Sequence, residues 1–140
     1  MKITILALTA LAGVFALASP SMAATITLKA SLSGKAEVPP NTVPATGAVT
    51  ATYDDATKKL TWKGSYKDLS GPATAAHFHG PASEGKNAGV AIPIMPNGPE
   101  FEGAATLTDA QAQEVLAGDW YVNIHTAANK AGEIRGQLTK

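Results

Sequence analysis

The sequence predicts an all-β domain, an immunoglobulin-like or Greek-key sandwich or barrel carrying one short helix. Three observations carry that expectation. Short stretches alternate apolar and polar residues, as half-buried strands do. Each stretch is bounded by glycine, proline or asparagine. A single window carries both a helix start and a helix stop. Seven or eight strands fit between Ala24 and Lys140.

The N-terminal segment is expected to lie outside the fold. Met1-Lys2 is a short positive start, Ile3 to Ala18 is an apolar run, and "SPSMAA" follows with small residues at Ser21 and Ala23. This is the pattern of a secretory signal peptide over residues 1–23, cleaved after Ala23. The run is shorter than the ~20 residues that a spanning helix needs. The expected product is a single exported domain, 24–140, with no membrane span, periplasmic or secreted.

The mature stretch is near neutral, with no basic run for nucleic acid or for an anionic membrane. The chain has no cysteine. That removes disulfides, thiolate metal sites and cysteine nucleophiles from consideration.

In chain order, "TITLKASLSG" places Ile26, Leu28, Ala30 and Leu32 on one face. "VPPNTVPATG" is a loop. "GAVTATYDD" and "KKLTWKGSY" are the next strands, the second with Leu60, Trp62 and Gly64 on one face. "TAAHFHG", "GVAIPIM" and "EFEGAATL" follow, and Pro93 marks an edge or a bulge. Thr108 with Gln111 has the spacing of a capping box, and Gly118 suits a helix stop, so a helix is predicted over 109–117. "DWYVNIHT" and "AGEIRGQLT" close the chain as a hairpin. The expected core includes Leu28, Leu60, Trp62, Phe78, Val122, Ile124 and Leu138.

The chain has three histidines. Alternation puts His77 and His79 on one face, opposite Phe78, with Cα atoms about 6.6 Å apart. The same rule puts Tyr121, Asn123 and His125 opposite the apolar Trp120, Val122 and Ile124. Pairing 125 with 133 in the hairpin sets His125 beside Glu133. A carboxylate or amide beside a ligating imidazole commonly fixes its tautomer, which nominates Glu133 and Asn123 as supporting residues. A lone strand histidine is more often a hydrogen-bonded structural residue than a ligand. Here all three fall on polar faces and two share the spacing that converges on one ion, so His77, His79 and His125 are the expected metal ligands.

Other candidates are weaker. Glu84, Lys86 and Asn87 read as a solvated loop, and Asp54-Asp55 as a turn. Ser70, Ser83 and Thr126 lack the surroundings of a nucleophile. Arg135, the sole arginine, is expected to be structural, pairing with Glu133, Asp119 or a neighbouring carbonyl. Met95 is expected in the core rather than as a soft copper ligand.

The segments "LSGKAEVPP", "ATG", "AAHFHGPA", "FEGAATLT", "LAGDWYVNIHT" and "GEIRGQL" resemble the CHRD domain, a module repeated in chordin and found singly in bacterial secreted proteins. The resemblance spans Leu32 to Leu138 and implies an all-β domain, without a defined biochemical activity. A looser likeness, His-x-His on a strand with a later histidine and a glycine-rich closing strand, is to the copper site of Cu/Zn superoxide dismutase. The chain lacks the further histidines, zinc-loop aspartate and disulfide of that enzyme, so a zinc-copper pair is not expected. A single three-histidine site is.

Three functions compete on this basis. The leading one is an exported metal-binding domain, with copper the expected ion and zinc second. The alternative is a non-catalytic extracytoplasmic protein-binding module with structural histidines. The third is a copper-dependent redox enzyme. No catalytic residue is assigned.

Overall fold

The structure, a computed structural model, describes residues 23–140. The signal peptide expected over 1–23 therefore lies outside the described residues, apart from Ala23. The strands are β1 (Thr25–Ser33), β2 (Thr46–Asp54), β3 (Lys59–Lys67), β4 (Ala73–His79), β5 (Val90–Ile94), β6 (Glu100–Thr106), β7 (Trp120–Thr126) and β8 (Ile134–Leu138). One α-helix, α1 (Asp109–Ala117), connects β6 to β7. All strand pairs are antiparallel, in the order β5-β4-β7-β8-β1-β2-β3-β6. The end strands β5 and β6 come into contact, so the sheet curls towards a barrel. Among the described residues no helix is long and apolar enough to cross a membrane.

Local chemistry accounts for the boundaries. The Thr108 hydroxyl accepts from the Gln111 amide, and the Gln111 side chain accepts from the Thr108 N–H, which satisfies two otherwise unpaired donors. Gly118 ends the helix at φ 82°, a left-handed conformation that glycine adopts without a Cβ penalty.

The core fills the inside of the curled sheet. All seven residues expected there are at most 5 % exposed. Phe78 sits edge-on to Trp62, with centroids 5.1 Å apart, and tilted against Trp120 at 6.0 Å. Burial of each such side chain stabilises the fold by roughly 1.5–3 kcal/mol. Met95 departs from expectation. It follows the last residue of β5, an end strand, and is 70 % exposed, because no further strand covers it.

One layout decides where the site lies. β4 and β7, separated by 40 residues of sequence, are neighbours in the sheet. Their register pairs Ala75 with His125, His77 with Asn123 and His79 with Tyr121. β7 and β8 pair Tyr121 with Gln137 and Asn123 with Arg135, the hairpin register that the sequence predicts.

Candidate metal centre

The alternation of β4 buries Ala76 and Phe78 and leaves His77 and His79 on the opposite, half-buried face. In β7, Val122 and Ile124 face the core, and Tyr121, Asn123 and His125 take the other face, where Tyr121 and Asn123 are buried and His125 is half-buried. His125 lies across from Ala75, whose small side chain leaves the space beside it to His77. One ring nitrogen from each of His77, His79 and His125 lies within 4.8 Å of the other two.

The hydrogen bonds assign the lone pairs. His79 Nδ1–H donates to the Ala88 carbonyl at 3.0 Å, so its Nε2 carries a lone pair. That Nε2 is buried and has no hydrogen-bond partner. His125 Nδ1–H donates to the Lys130 carbonyl at 2.9 Å, which likewise leaves its Nε2 as an acceptor. His77 Nδ1 stands 3.1 Å from His125 Nε2, so it must carry the proton between them. A separation of 3.1 Å also matches two nitrogens bound at about 2.0–2.1 Å to one ion with an angle near 100° at the ion. For Nδ1 of His77 to become a ligand, its proton must move to the other ring nitrogen.

Electrostatics favours neutral rings. Burial holds the His77 imidazolium below the usual histidine range, and the charges of His125 and His79 add to the effect. Burial does the same at His79, against the partly opposing Ala88 carbonyl. Neutral imidazole is the form that binds a metal.

Aromatic and cationic groups pack against this cluster. The Tyr121 ring stacks on His79 at 4.9 Å, with 3° between their planes. The Arg135 guanidinium lies 3.5 Å from the Tyr121 ring centroid. It also donates to Asn87 Oδ1 at 2.8 Å and to the Lys86 carbonyl. The Tyr121 hydroxyl donates to the Ala88 carbonyl at 3.2 Å. The loop 80–89, expected to be merely solvated, is thus tied down beside His79.

The structure corrects the support expected for His125. Glu133 accepts from the Ser70 amide and hydroxyl, the Thr126 hydroxyl and the Asn129 amide, and it does not reach the imidazole. It precedes β8 and follows Gly132, which has φ 135°, so the strand alternation does not govern it. Its side chain meets Thr126, which points away from His125 along β7. Asn123 donates to Glu37 and to the Ile134 carbonyl. The Lys130 carbonyl orients His125 instead. Arg135 pairs with neither Glu133 nor Asp119.

Glu37 is a group that the sequence does not single out. Burial raises its carboxyl to about 7, while Asn123, the Arg135 charge and the Val38 N–H pull the other way. It precedes two prolines in a loop and has no partner nearby in sequence, so spacing holds no signal for it. The carbonyls of Ala88 and Lys130 belong to the backbone, and no side-chain pattern announces them.

The family model for the CHRD domain matches residues 28–138. The chain therefore belongs to the CHRD domain family. No curated protein and no solved structure gives a match.

Proposed function

We propose that this CHRD-family domain is an exported metal-binding module in which His77, His79 and His125 hold one copper ion, with a fourth position open. The observation that carries the reading is the buried Nε2 of His79. A buried polar atom without a partner is uncommon and costs about 1–3 kcal/mol, and a bound cation would remove that cost. This Nε2 belongs to one of three imidazoles that each place a ring nitrogen within 4.8 Å of the other two. Among first-row divalent ions a nitrogen-donor set favours copper, which places zinc second.

A second reading draws on the His77–His125 hydrogen bond, which closes two of the rings on each other without any ion. On that reading the domain is an extracytoplasmic protein-binding module and the cluster is structural. Metal analysis of untagged protein, followed by titration with Cu(II), Cu(I) and Zn(II), separates the two. The metal-centre reading expects one copper per chain and its loss on His79→Ala. A triple His77→Ala, His79→Ala, His125→Ala protein that binds copper as well as the parent refutes it. N-terminal sequencing of material outside the cytoplasm should find Ala24 first, and retention of Met1 there would refute cleavage.

A further inference from the structure

We infer that the site prefers the cuprous ion to divalent ions, and that Arg135, held against the far face of Tyr121, is the residue that sets this preference. The inference rests on the copper reading and adds to it the charge state of the ion and a residue that touches none of the ligands.

The first observation is the order of layers. His79 and Arg135 both lie over the Tyr121 ring, at 4.9 and 3.5 Å from its centroid. A ring stacked at that distance and a guanidinium centred over the same ring cannot share one face. The order is therefore His79, Tyr121, Arg135, and the Tyr121 ring, not water, lies between the guanidinium and the His79 imidazole.

The second observation is charge. The three ligands are imidazoles, and among the described residues the cluster contains no carboxylate. The charge of a bound ion thus has no anionic ligand to offset it. Arg135 is 2 % exposed, and none of the ion pairs among the described residues involves it. Its partners are the neutral Asn87 side chain and the Lys86 carbonyl. The Tyr121 ring alone separates it from the His79 imidazole. Glu37, which senses the same guanidinium, is held up to about 7 by burial and so offsets it only in part.

A fixed cation opposes a doubly charged ion more than a singly charged one. At roughly 10 Å and an effective dielectric constant near 20, one unit of ion charge changes affinity by about tenfold.

The test is the reduction potential of copper bound to the full domain, with Cu(I) and Cu(II) affinities measured by chelator competition. Arg135→Gln should raise the Cu(II) to Cu(I) affinity ratio about tenfold, which lowers the potential by about 59 mV. Arg135→Lys, which keeps the charge, should stay within about threefold of the parent by the same Coulomb argument. A glutamine variant with an unchanged ratio, or a lysine variant shifted as far as the glutamine one, overturns the assignment to the charge. Should the glutamine variant not fold, the parent alone decides. Its potential must exceed that of copper in excess free imidazole under the same conditions, and an equal or lower value overturns the cuprous preference. A parent that binds no copper fails earlier and defeats the metal-centre reading itself.

Discussion

Replacing Glu37 with glutamine should stabilise the protein above neutral pH and leave it nearly unchanged in acid. Glu37 is 7 % exposed and its carboxyl is raised from 4.5 to about 7, chiefly by burial. The folded state therefore binds this proton more tightly than the unfolded state does. Stability from Glu37 is fully present below 4.5 and is lost as pH rises through about 7. A tenfold difference in proton affinity between the two states is worth about 1.36 kcal/mol. The rise from 4.5 to about 7 thus corresponds to a loss on the order of 3 kcal/mol at pH well above 7. Glutamine keeps the oxygen that accepts from Asn123 and cannot ionise. The assay is urea denaturation of parent and variant at about pH 4 and about pH 8.5, with the stability difference compared between the two conditions. All other titratable groups are common to both proteins, so they cancel in that difference. The expected change is about 2–3 kcal/mol in favour of the variant at the higher pH. A difference that stays constant within about 0.5 kcal/mol would show that Glu37 is not held protonated by burial.

Leu60→Ala removes a fully buried side chain from the barrel interior and should cost about 2–5 kcal/mol by chemical denaturation, and a loss well under that range would refute its place in the core. Gly136→Ala should also destabilise, by about 1–3 kcal/mol or more in the same assay, because the added Cβ would stand 2.1 Å from the Ser31 carbonyl oxygen, a backbone atom that cannot rotate away. Copper affinity should fall as pH drops below about 6.5, since protons compete for imidazoles whose lone pairs the ion needs. The depressed values of His77 and His79 put the loss at lower pH than for free imidazole, and a titration in which affinity is flat from about pH 7 to about pH 5 would refute neutral-histidine ligation. The metal-free fold should lose stability over the same descent, because the unfolded chain takes up protons there that the folded chain resists.

Period-two alternation is a local property, and it is enough to identify the strands, the core face of each and the polar face that carries His77, His79 and His125. The capping box at Thr108 and the short β7–β8 connection are also local, so the helix limits and the hairpin register can be read without coordinates. Proximity of β4 to β7 is of another kind. It follows from the order in which eight strands close around one core, and alternation within a strand says nothing about its neighbours. Only that order turns three polar-face histidines into one cluster. The supporting contacts are decided at the same level. Extending the hairpin register would set Glu133 beside His125, yet the turn at Gly132 carries its side chain to Ser70 and Thr126. The Lys130 and Ala88 carbonyls that fix two imidazoles have no side-chain signature. The layering of Arg135 on Tyr121 and of Tyr121 on His79 requires three strands to be placed side by side, and hydrophobic pattern determines which face a residue takes but not which residues on that face meet.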